Sequence, residues 1–188
     1  MPPWSYHRNV GESAGEVLSR EHERLNEAFD RIREEHADHV AAWHAAVKQM
    51  TTHVAVERTF LYPVVKKRHL GTSRLARELH HDYSRLEHLL VLTERRKINS
   101  PDMVELVTEL LDVFEAHVQR CATGLIPAMD KGLSPAELQE LGNRMTGAEN
   151  VIVSHPHPHL LALGPVYPLT TRIASRWDRW RDRSVRNQ

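Results

Sequence analysis

Between residues 18 and 125 the apolar positions advance in steps of three and four, the spacing that lines one face of an α-helix. Leu18, Leu25, Phe29 and Ile32 form a first stripe, and Val40, Trp43, Val47, Met50, Val54, Leu61 and Val64 a second. Residues 16 to 62 contain neither Gly nor Pro. A single helix of that length is unusual in a globular domain, so the pattern predicts a turn around Glu35 to Asp38, with Asp38 capping the second helix. A third helix opens after Gly71, at Thr72 or Ser73, striped by Leu75, Leu79, Tyr83, Leu86 and Leu90. Ser100 and Pro101 are a cap and first-turn pair for a fourth, running through Leu106, Leu110, Val113, His117 and Cys121.

Four long amphipathic helices with short connections predict an all-α fold, an antiparallel up-down four-helix bundle. Ser134, Pro135 and Glu137 form a capping box that starts a short fifth helix, ending near Gly142 or Gly147. Residues 154 to 168 carry alternating His and Pro and suit an extended strap. Leu169, Ile173, Trp177 and Trp180 then share one face of a tail helix. The chain divides accordingly into an N-terminal segment (1–14), the bundle (15–131) and a C-terminal extension (132–188) of short helix, strap and tail helix.

Composition narrows the function. Lys plus Arg equals Asp plus Glu at 25 each, which leaves no basic field to attract nucleic acid. The single cysteine, Cys121, excludes an internal disulfide and fits a reducing compartment. No run of about 18 apolar residues occurs, and the first residues show no secretory signal pattern. The expectation is a cytoplasmic protein without membrane attachment, whose tryptophan-bearing tail face docks on the bundle, on a second copy or on another protein.

Histidine changes the picture, at 14 of 188 residues. Glu57 falls on the second apolar stripe, where a carboxylate is costly unless paired or bound to metal. His53, four residues earlier, shares its face. With 14 histidines and 25 acidic residues in 188, about two such pairs arise by chance, so the pair alone is weak. The frame around it repeats: His53-Val54-x-x-Glu57-x-x-x-Leu61-Tyr62-Pro63 matches His117-Val118-x-x-Cys121-x-x-x-Leu125-Ile126-Pro127 at an offset of 64 residues. Each copy sets a proline late in a long helix, where it costs about 3 kcal/mol.

Height along the helices adds a second argument, because each residue rises about 1.5 Å. From a turn at residue 37, His22 lies 15 residues back and His53 16 forward; from a turn at 98 to 99, His80 and His117 are equally distant. His80 is preferred to His81 because Tyr83, Leu86 and Leu90 follow it much as Leu25, Ala28 and Ile32 follow His22. Across the middle connection the levels of His53 and His80 do not match. Mixed imidazole and carboxylate donors suit Fe, Mn or Zn rather than Mg or Ca.

A His on the first helix, H-x-x-x-E on the second, a His on the third and a second such frame on the fourth resembles the hemerythrin-like (HHE cation-binding) family over about residues 15 to 130. The resemblance implies a non-haem di-iron site, with histidines on both irons and bridging carboxylates, that binds or senses O2, NO or peroxide; catalase-like peroxide breakdown is an open activity. His22, His53, Glu57, His80 and His117 carry over as metal ligands. Cys121 stands where the second bridging Glu belongs. That leaves thiolate ligation, two irons bridged by Glu57 and solvent, or a single metal. Tyr83 is either an added oxygen ligand or a core aromatic. His36, His39, His44, His69 and His88 are expected outside the site, and His155, His157 and His159 in a solvated strap. The competing readings are metal storage or buffering, and a degenerate bundle serving protein interaction.

Overall fold

The computed structural model describes residues 11–34, 39–94, 96 and 100–148. The expected turns at 35–38 and 98–99, residues 1–10, the strap and the tail helix with Trp177 and Trp180 lie outside them. Every element among the described residues is helical. Helix α1 (Ala14–Glu34) starts from a capping box that the apolar pattern alone does not reveal. Ser13 N–H donates to Glu16 Oε2 at 2.7 Å and Glu16 N–H to Ser13 Oγ at 3.3 Å. Helix α2 (His39–Val56) runs through a wide turn, Glu57–Leu61, into α3 (Tyr62–Lys67). Helix α4 (Ser73–Glu94) follows Gly71, held at φ 72°, and Thr72 Oγ1 caps it by accepting from Leu75 N–H at 3.1 Å. Helix α5 (Pro101–Arg120) passes through a second wide turn, Cys121–Leu125, into α6 (Ile126–Gly132), and α7 (Pro135–Ala148) closes the described chain.

The two wide turns explain the repeated prolines. In each, an N–H reaches back five residues instead of four, Tyr62 to the Glu57 carbonyl and Ile126 to the Cys121 carbonyl. Pro63 and Pro127 come next; neither has an N–H to donate, and in a regular helix each ring would strike the carbonyl four residues back. The wider turn makes room and lets the helix continue. Glu57 and Cys121 therefore occupy the same place, the first residue of a π-helical turn, in the two copies.

Helices α1 and α2 pack side by side, as do α4 and α5; α2 also meets α4, and α7 lies against α1 and the first wide turn. Most predicted stripe residues are buried, among them Leu18, Leu25, Trp43, Met50, Leu79, Tyr83 and Leu110. Val40 is not: it stands 51% exposed at the start of α2. On α5 the buried series is Met103, Leu110, Phe114, His117 and Cys121, so Phe114 turns inward and its neighbour Val113 is only half-buried.

Of the two expected ends, Gly142 and Gly147, helix α7 passes the first and stops beside the second, at Ala148. The capping box at its start is present, Ser134 N–H donating to Glu137 Oε2 at 2.8 Å and Glu137 N–H to Ser134 Oγ at 3.3 Å. Gly142 serves close approach instead: a β-carbon there would lie 2.2 Å from the Glu12 carbonyl oxygen and 2.8 Å from the Ser13 carbonyl carbon, at the start of α1. Since those contacts are backbone, Gly142→Val is expected to cost about 1–3 kcal/mol through overpacking and to lower the thermal midpoint by several degrees. Gly147→Ala, whose β-carbon meets nothing within 4 Å, is the control and should leave the midpoint unchanged or raise it.

Candidate metal centre

Glu57 opens the first wide turn with no exposed surface, and three imidazoles surround it. His53, one turn earlier on α2, brings Nε2 to 2.9 Å from Glu57 Oε1. His22, from the middle of α1, brings Nε2 to 3.4 Å from the same oxygen. His117, in the last turn of α5, holds Nε2 3.2 Å from Glu57 Oε2. The rings lie edge to face, centroids 4.8 Å apart for His22 and His53 and 5.4 Å for His22 and His117, with Phe114 packed against all three. One ligating atom from each of His22, His53, Glu57 and His117 lies within 4.8 Å of the others, and all four residues are buried.

Around this group stand three further side chains. Cys121, fully buried, has Sγ 3.6 Å from His117 Nε2. Tyr83 of α4 is fully buried, its ring centroid 5.6 Å from that of His117. Asp82 reaches the far side of His117, Oδ2 lying 3.6 Å from Nδ1, and is itself held by a short contact from Arg120 Nη1.

Burial and charge act against each other here. Burial alone would raise Glu57, yet the positive charge available on His117 and His53 and the close approach of the His117 and His22 imidazoles pull its carboxyl well below the usual range. Burial pushes His22 down to about 4, outweighing the upward pull of the neighbouring Glu57 carboxylate. His117 moves the other way: burial would lower it, but Glu57 and Cys121 raise it well above an ordinary histidine. Burial raises the phenol of Tyr83, with Glu57 adding to it, and burial likewise raises the Cys121 thiol.

The donor set fits a transition-metal cation on an observation independent of charge. Nε2 of His22, Nε2 of His53 and Oε2 of Glu57 are buried with no hydrogen-bond partner among the described residues. Leaving such groups unsatisfied costs about 1–3 kcal/mol each, and a cation at their convergence satisfies all of them. Metal–nitrogen bonds of about 2.0–2.1 Å set opposite donors about 4.2 Å apart, so a group spanning 4.8 Å is sized for one ion. A groove of about 540 Å³ between α1 and α2 leads to it, with Val17, Leu18, Thr52 and Val56 along its walls and His53 and Glu57 at its end.

Of the six residues read from sequence as ligands, the structure gathers His22, His53, Glu57 and His117, sets Cys121 beside them and leaves His80 outside. His80 is exposed and stacks on Tyr62, centroids 5.6 Å apart. The reason is rotational: residue 80 lies about 100° around the helix from Leu79, which holds the inward seam. Tyr83 and Asp82 face the site from α4 instead. His44, His69, His81 and His88 are exposed; His36 and the side chain of His39 lie outside the described residues. Asp82 escaped the sequence reading although a signal existed: Leu75, Leu79, Asp82, Leu86, Leu89 and Thr93, all buried, step alternately by four and three.

Compared with known proteins, residues 13–129 match the family model described as the hemerythrin HHE cation binding domain. No match was found among curated proteins or among solved structures.

His22 is neutral in the folded state down to about pH 4, whereas in the unfolded chain it protonates near 6.5. Between those values the unfolded chain binds more protons, so stability of the chelator-stripped protein falls as pH drops from about 6.5 to about 4, by up to about 3 kcal/mol. Urea titrations across that window should show the slope, and His22→Gln should flatten it. An equal slope in the variant would refute the assignment.

Proposed function

The chain belongs to the hemerythrin HHE cation-binding family, and from that premise we propose that it is a non-haem iron protein that binds, senses or breaks down a small oxidant: O2, NO or peroxide. One observation carries the reading. Three imidazole nitrogens and a carboxylate, delivered by α1, α2 with its wide turn, and α5, converge buried along a groove, and Nε2 of His22, Nε2 of His53 and Oε2 of Glu57 have no hydrogen-bond partner among the described residues. A structural histidine cluster would have its nitrogens satisfied by protein partners. The side-by-side pairs α1 with α2 and α4 with α5 support an antiparallel up-down four-helix arrangement, within the 15–131 unit read from the sequence.

In this reading His22, His53, Glu57 and His117 are the ligands, and His80 stands apart. Glu57 turns Oε1 toward His22 and His53 and Oε2 toward His117, so its carboxylate would serve iron alongside all three imidazoles. Iron bound there supplies an open coordination position for a diatomic gas or peroxide. The chain's own residues do the rest. Asp82, fixed by Arg120, faces Nδ1 of His117 and so directs Nε2 into the site. Phe114 and Tyr83 shield the imidazoles from water. The groove admits small molecules between α1 and α2. No helix among the described residues is long and apolar enough to cross a membrane; we place the protein in a reducing compartment, the cytoplasm, because its buried cysteine is free.

Metal analysis of the purified chain, with peroxide, O2 and NO reactions followed by absorption, tests the proposal. His53→Ala and Glu57→Ala should each weaken iron binding at least tenfold and abolish the reaction; iron content unchanged in both variants would sink it. Thr52→Trp, which narrows the groove, should slow the reaction several-fold while leaving iron content intact. An unaltered rate would show that the oxidant arrives by another path.

A further inference from the structure

The groove between α1 and α2 has a direction as well as a volume. Its walls run from Val17 and Leu18 to Arg31 on α1 and from Val56 back to Ala45 on α2, and α7 contributes one residue, Met145. Helix α7 lies against α1 and advances in the same sense. Gln139 Nε2 donates to the Gly11 carbonyl, Gly142 abuts Glu12 and Ser13, and Met145, three residues on, joins the wall that Val17 and Leu18 begin. By that register the last residue of α7, buried Ala148, comes level with Glu21 and leads toward the part of the groove walled by Arg24, Glu27 and Arg31.

Length agrees with direction. From Glu21 to Arg31 the groove follows α1 for about 15 Å, at 1.5 Å per residue. Past Ala148 the sequence continues Glu149-Asn150-Val151-Ile152-Val153, and then reaches the His and Pro residues that begin at 154. Five residues in extended form span about 16–18 Å, and three successive β-branched side chains favour that form over further helix. The α2 wall is open to receive them: Ala45 is exposed, and Gln49 and Thr52 are half-buried.

We propose that residues 149–153 of this chain dock in the groove between α1 and α2, laying Val151, Ile152 and Val153 along Ala45, Gln49 and the aliphatic stems of Arg24 and Arg31. The tether decides between this segment and a second copy. A segment joined to the groove through Met145 and Ala148 reaches it at an effective concentration of about a millimolar, above that of a free copy at ordinary protein concentrations. Roofed in this way, the groove becomes a channel to His53 and Glu57, through which O2, NO or peroxide passes and chelators and bulky reductants do not. The channel deepens the iron reading above, whereas the docking itself does not depend on which metal is bound.

Disulfide trapping in the metal-stripped full chain tests the docking. Ala45→Cys is combined in turn with Val151→Cys, Ile152→Cys and Val153→Cys, and bond formation is followed by mass spectrometry in an equal mixture of heavy-isotope-labelled and unlabelled protein. At least one pair should close within a single chain about tenfold or more faster than the same cysteine paired with Val104→Cys, an exposed site on α5. Rates no faster than that control overturn the docking. A disulfide only between labelled and unlabelled chains also overturns it, by assigning the groove to another copy. Because no metal is present, either failure leaves the iron reading untouched. In the cobalt-loaded chain, Ile152→Asp should speed removal of the metal by a chelator several-fold and Ile152→Leu should not; an unchanged rate in Ile152→Asp overturns the roof.

Discussion

Placing an ionised carboxylate where no water reaches it costs tens of kcal/mol if nothing compensates, and Glu57 has no exposed surface. Much of the architecture answers that cost. Three helices each deliver an imidazole to its oxygens, at 2.9 to 3.4 Å. The compensation is incomplete in the protein alone, because three donor atoms still lack hydrogen bonds. A site that is charged, buried and undersatisfied is poised to gain from a cation, and Phe114 and Tyr83 pack against its imidazoles.

The same carboxylate depends on a backbone irregularity. Glu57 and Cys121 each open a turn in which the hydrogen-bond ladder widens by one residue, and each turn is followed by a proline that requires the widening. Two halves of the chain thus present position 57 and position 121 in equivalent settings, one filled by a hard oxygen donor and the other by sulfur. The backbone is duplicated while the chemistry is not. That combination makes residue 121 informative: the scaffold for a carboxylate is intact, and only the donor atom differs.

Much of this was legible in the sequence, for identifiable reasons. A carboxylate on an apolar seam, the 64-residue repeat and the prolines led to Glu57, His53 and His117, and equal distance from a turn added His22. Equal distance fixes height along a helix but says nothing of direction around it, which is why it favoured His80 over Tyr83 and Asp82. The buried series on α4 steps through Asp82, and reading that seam would have found it. Gly142 read, beside Gly147, as one of two helix stops because glycine often ends helices. Its purpose, a backbone approach to residues more than a hundred positions away, has no local signature. The wide turns were visible only as misplaced prolines.

That approach has a consequence for how the protein is made. The histidine of α1 precedes the other donors along the chain, yet the start of its helix is seated by α7, more than a hundred residues later. Contacts so distant along the sequence are slow to form, since a long loop must close before they stabilise anything. Docking of the start of α1 on Gly142 is therefore a late contact. The four donors themselves are separated by nearly a hundred residues, from His22 to His117, so metal capture also waits on the assembly of most of the fold.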